Sequence, residues 1–161
     1  MTKPENSELK QRRVLLKKYS TPHQLEQLLT LLKRQSAAVQ LTLLGKVTTA
    51  ADHKNETDHE WLDDFVTRWR KFATTPIEYG VVTNPEIGTI FIVGSFADMF
   101  LQEINGKKIG SMTTGIYGVL RGLGIDQEAV NAYINALSDG TYLIILRGYD
   151  YELRSFNERI S

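Results

Sequence analysis

Residues Leu123–Gly148 read LGIDQEAVNAYINALSDGTYLIILRG, and the fold follows from how this stretch is divided. Asp126, after Gly124-Ile125, is placed to accept a hydrogen bond from the free amides of a first helical turn. Glu128 adds negative charge at that positive end. Ala129, Val130, Tyr133, Ile134 and Leu137 then recur at helical spacing, which predicts one apolar face. Ser138-Asp139-Gly140 stops the helix, with Gly140 suited to the left-handed position after its last turn. Tyr142, Leu143, Ile144, Ile145 and Leu146 follow without a polar break. A strand wetted on one face would alternate, so this strand is predicted to be central and covered on both sides.

The bulk composition narrows the classes. A chain of 161 residues is expected to form one domain, large enough for a core without staples. The 19 basic residues balance the 19 acidic ones, which removes the electrostatic argument for a nucleic-acid partner or an anionic membrane. There is no cysteine, so disulfides, thiol catalysis and cysteine metal sites are excluded. MTKPENSELKQRR lacks the apolar core of a signal peptide. The longest apolar run, Ile87 to Leu101, spans about 15 residues and carries Asp98, short of a bilayer span. The expectation is a soluble cytoplasmic protein without membrane insertion.

Outward from the anchor, residues 1–10 are polar and read as a flexible arm ahead of a single α+β domain over 11–161. Val14 to Tyr19 predicts a first strand, its lysines suited to a sheet edge. Thr21 and Pro22 start a helix with a Leu25, Leu28, Leu29, Leu32 stripe. Val39 to Val47 alternates as a second strand. After a polar loop, residues 58–73 form an inserted amphipathic helix bearing Trp61, Leu62, Phe65, Val66, Trp69 and Phe72. Ile77 to Val82 is a short strand or extended loop. Ile87 to Gly94 is apolar on both faces, with Ile87, Phe91 and Val93 assigned to one side and Ile90 and Ile92 to the other. Ser95 to Ile104 predicts a short helix, Asn105-Gly106 a turn, Ser111 to Leu123 a Gly-spaced helix, and Asp150 to Ile160 a C-terminal helix.

Thr21–Gly45 and Asp126–Gly148 share an order of cap, helix, turn, apolar strand and glycine. With a strand ahead of each helix they make two β-α-β halves, the ferredoxin-like arrangement: a mainly antiparallel sheet with helices on one face. The other face would then need a cover, from the Trp-bearing helix or a second copy of the chain. A homodimer is the expected solution.

YGVVTNPEIGTIFIVGSFADMFL (Tyr79–Leu101) and GIYGVLRGLGIDQEAVNAYINALSDGTYLIILRG (Gly115–Gly148) resemble bacterial heat-induced and general stress proteins of unknown function. In that family a Gly-Pro-Leu-Ala-like signature closes an apolar segment, and Leu-Gly-Ile-Pro precedes the last helix. Here Gly94-Ser95-Phe96-Ala97 and Leu123-Gly124-Ile125-Asp126 stand at those places, with Ser95 and Asp126 where the family has proline. Many relatives carry a Gly-zipper-like apolar pair in mid-chain, where this sequence has the charged helix around Trp61–Phe72. The resemblance implies a stress-linked role with no catalytic residue to carry across.

Three constellations bear on chemistry. His53, His59 and Asp63 sit among acids, and the four-residue spacing of His59 and Asp63 shares a helix face. No recognised metal spacing is present, so a solvated loop running into a dipole-complementing helix start is the stronger reading and the metal site the weak one. Lys107, Lys108, Gly110, Ser111, Thr113 and Thr114 precede a helix and suit weak anion binding on free amides. They do not make a P-loop, since no Ser or Thr follows the Gly-Lys pair in register. Tyr79, Tyr117, Tyr133, Tyr142 and Tyr149 with the two tryptophans read as packing first and as a flat-ligand pocket second. No catalytic set, cofactor or metal is expected. The resulting expectation is a non-enzymatic, self-associating module with a possible protein partner. The alternative is a small-ligand or anion sensor with a pocket between sheet and Gly-rich helix.

Overall fold

The computed structural model describes residues 12–35, 39–47, 57–73 and 76–160. The expected N-terminal arm and most of the polar loop before the inserted helix lie outside the described residues. The order is β1 (Arg12–Tyr19), α1 (Pro22–Gln35), β2 (Gln40–Lys46), α2 (Thr57–Phe72), β3 (Glu78–Asn84), β4 (Gly88–Gly94), α3 (Ala97–Leu101), β5 (Glu103–Ile104) and β6 (Lys107–Lys108). A 3-10 turn (Ile109–Ser111), α4 (Gly115–Gly122), α5 (Gln127–Ser138), β7 (Tyr142–Tyr149) and α6 (Asp150–Ile160) complete it.

β1, β7, β2, β4 and β3 form one five-stranded sheet in that order, antiparallel at every step. The class is α+β. β7 occupies the interior position that its apolar run demanded: Leu143, Ile144, Ile145 and Leu146 are each at most 1% exposed. The local signals that set its preceding helix also hold. Asp126 Oδ1 accepts from Ala129 N at 2.9 Å, and Gly140 takes φ +96°. At α1, Thr21 and Gln24 bond reciprocally, a capping box that fixes the helix start.

The sheet carries a core on each face. On one side Leu41, Leu43, Phe91, Val93, Ile144 and Leu146 pack under α1, α2 and α6, with Phe65 and Phe156 fully buried. On the other, Leu44, Ile90, Ile92, Leu143 and Ile145 pack under α3, α4 and α5, with Phe100 and Leu120 fully buried. The ferredoxin-like expectation of helices on one face is therefore corrected to three layers. The reason is topological. β1 and β2 run parallel with β7 between them, and β4 and β7 run parallel with β2 between them. The second crossover reverses both strand direction and displacement, so two crossovers of one hand would lay their helices on the same face. Theirs lie on opposite faces, so the crossovers have opposite hands and one runs against the right-handed rule. No rotation superimposes one β-α-β half on the other.

The correction removes the argument for self-pairing. The face thought to need a cover beyond the two repeated helices has one within its own chain, and the Trp-bearing helix packs on the side of α1. Ile87, expected beside Phe91 and Val93, lies instead in the core with Ile90 and Ile92, because it sits in the turn before β4. The helix expected over Ser95–Ile104 ends at Leu101, and Asn105-Gly106 turns the chain between β5 and β6.

Candidate functional site

β3 and β4 are joined by a tight turn, Pro85–Ile87, and that turn is organised by one buried polar side chain. Asn84 is 2% exposed. Its Oδ1 accepts from the Glu86 and Ile87 amides at 2.9 and 3.2 Å. Its Nδ2 donates to the Gly110 and Met112 carbonyls at 3.0 and 2.9 Å. Every polar atom of the Asn84 amide is thus satisfied, and the turn is tied to the segment that feeds α4.

That segment is close-packed at its entry to the helix. A Cβ on Gly115 would lie 1.7 Å from the Ile109 carbonyl oxygen, so only glycine permits this approach. Gly118 N closes the first α4 turn on the Thr114 carbonyl at 2.8 Å, while the Thr114 side chain makes no capping bond. α5 follows α4 through Leu123–Asp126. It is anchored to the sheet edge by Tyr133, whose hydroxyl donates to the Leu16 carbonyl at 2.9 Å.

Between the β3–β4 turn, the start of α4 and one side of α5 lies a cleft of about 370 Å³. This is within the range of small-molecule sites. Ile87 and Ile116, both buried, and the half-buried Ile134 supply its apolar surface. Thr113, Thr114, Asn131 and Asn135 present hydroxyls and amides around it, and all four are exposed. Tyr117 and Asn84 add to the polar lining, and Glu86 contributes the single formal charge among the described residues.

The anion candidates separate on this geometry. Thr113 and Thr114 line the cleft, whereas Lys107, Lys108, Gly110 and Ser111 do not. Lys107 is exposed at the β5–β6 tip, and Ser111 Oγ is spent on the Lys108 carbonyl at 2.6 Å. Of the metal candidates, His53 lies outside the described residues, as does the side chain of His59, and Asp63 is exposed on α2. Among the described residues no three histidine or acidic side chains stand where they would hold a metal ion. The aromatic set is dispersed. Trp61, Trp69, Tyr79 and Tyr142 belong to the α1–α2–α6 core, Tyr117 and Tyr133 to the opposite core, and Tyr149 stacks on Tyr151.

A second polar constellation pins α2 to α1. The Arg68 guanidinium forks onto Glu26, with Nη1 at 2.7 Å from Oε2 and Nη2 at 2.5 Å from Oε1. Trp61 Nε1 donates to Glu26 at 3.2 Å, and Arg68 Nε lies 2.8 Å from the Asp64 carboxylate. Hydrogen bonds from Arg68 hold the Glu26 carboxyl below its ordinary range, against the opposing pull of burial. Its bonds join two helices of one layer, so it is read as a clamp.

The cleft residues that sequence reasoning missed are Asn84, Glu86, Asn131 and Asn135. Asn131 and Asn135 are four apart beside the apolar stripe of α5, a spacing that places them on one side of the helix. Asn84-Pro85 signalled only a strand end. No family model, curated protein or solved structure matches the chain.

Proposed function

We propose that this chain is a non-enzymatic binding domain whose small ligand occupies the cleft between α4, α5 and the β3–β4 turn. The observation that carries this reading is the lining: an apolar floor of isoleucines beneath side-chain amides and hydroxyls, on a backbone held by the Asn84 bonds. Such a surface recognises shape and hydrogen-bonding groups. Among the described residues it has Glu86 as its only carboxylate and no histidine or lysine, so these offer little for acid–base or nucleophilic chemistry. The sensor reading puts a pocket between sheet and Gly-rich helix; here the start of that helix is one wall, and α5 and the β3–β4 turn are the others. A homodimer is not needed for this function, since both sheet faces are covered by the chain itself.

The test is a thermal-shift fragment screen run in parallel on the native chain and on Asn135→Trp. That substitution is on an exposed helical position and fills the cleft. Fragments that raise the melting temperature of the native chain should lose their effect in the variant. Hits that stabilise both proteins equally would place the binding elsewhere and overturn the reading.

A further inference from the structure

We infer that the cleft selects a ligand carrying a positive charge, an amine on an apolar body. The inference rests on the proposed binding role and deepens it. Among the described residues Glu86 is the only formally charged one in the lining, its side chain is exposed, and it forms no ion pair. Its main chain is fixed at one end of the cleft, because its amide is bonded to the buried Asn84. A carboxylate held in place beside a low-polarity surface attracts a cation more strongly than one on a mobile loop. Among the described residues Lys107 and Lys108 are outside the lining. Lys46 is nearer: its Nζ lies 3.9 Å from where a Cβ on Gly88 would stand, next to Ile87, and is held there by the Ser138 carbonyl at 3.1 Å, so it weakens the preference without standing in the lining itself.

The positive end of α4 opposes the carboxylate, but it amounts to about half a charge even for a long helix, and α4 has eight residues. The remaining lining says what the rest of the ligand resembles. Ile87, Ile116, Ile134 and the Tyr117 ring give a hydrophobic body its contact area. Asn131 and Asn135 offer both donors and acceptors to a hydroxyl or amide on that body.

Three probes of one shape separate charge from shape: tyramine, the neutral alcohol tyrosol and the anion 4-hydroxyphenylacetate. Each is titrated into the full chain by NMR at low salt, following the amides of Glu86, Ile116 and Asn135. Tyramine should bind about threefold tighter than tyrosol, the worth of one exposed ion pair, and 4-hydroxyphenylacetate weakest. Glu86→Gln, an exposed position, should abolish the preference for tyramine over tyrosol. Raising the salt to 0.5 M should narrow the same gap. Equal binding of all three, or a preference for the anion, would overturn charge selection and leave the cleft as a binding site. If no probe moves these amides at millimolar concentration, both charge selection and the proposed binding role fall.

Discussion

Asn84→Ala should destabilise the fold far more than a small polar side chain in a turn ordinarily does. Asn84 makes four hydrogen bonds, and the variant leaves four main-chain partners without them. The Gly110 carbonyl and the Ile87 amide are bonded in buried surroundings; the Met112 carbonyl and the Glu86 amide are only partly buried. The latter two can turn to water at small cost. An orphaned buried group costs about 1–3 kcal/mol, so two of them give roughly 2–6 kcal/mol. Urea unfolding at pH 7 measures this as a shift in midpoint at unchanged slope. Amide exchange adds a local reading: Ile87 should lose more protection than Ile144 in β7, whose side chain packs in the opposite core. A loss below about 1 kcal/mol, or uniform loss of protection, would mean the turn and the α4 segment are held by packing alone.

Two glycines make a paired test: Gly115→Ala must displace the backbone at Ile109 and should cost about 1–3 kcal/mol or more. Gly118→Ala, with nothing within 4 Å of the new methyl, should gain about 0.5–1 kcal/mol in the same thermal melts. Glu26 is held below the ordinary carboxylate value of 4.5, chiefly by Arg68, so its contribution is complete above the unfolded-chain pKa and is lost as pH falls through the lower folded value. Native protein should therefore lose more stability between pH 6 and pH 3 than Glu26→Gln does. Because both partners are about a third exposed, the difference should be roughly 0.5–1 kcal/mol by urea titration at each pH. Light scattering at micromolar concentration should return the 18.3 kDa mass of one chain; twice that mass would restore the self-pairing argument.

The parts of the fold that could be read from sequence are those written in local chemistry. Tyr142–Leu146 could only be a strand covered twice, and Asp126, Gly140 and Thr21 marked helix ends that the backbone confirms. The layer count could not be read that way. An apolar stripe such as Leu25, Leu28, Leu29 and Leu32 shows that a helix has a buried side, and it fits either face of a sheet. Which face is taken depends on crossover hand, a property of the whole chain path. Ser95–Ile104 misled because Ile104, four residues after Phe100, keeps helical spacing past Leu101, where the chain leaves the helix for the Asn105-Gly106 hairpin.

The site was less accessible still. The Gly-rich segment was singled out for its lysines, yet its threonines reach the cleft, and Gly110 and Gly115 serve close approach to the Phe100 and Ile109 carbonyls. Asn84 and Glu86 reach the same cleft from a strand end about thirty residues earlier, through contacts visible only once β3, β4 and α4 have packed.

A crystallographic fragment screen tests the binding reading most directly. Soaked fragments should be found between Asn131 and Asn135 on one side and Thr114 on the other, with their apolar parts against Ile87 and Ile116. Fragments that leave this cleft empty while occupying another surface would contradict the account.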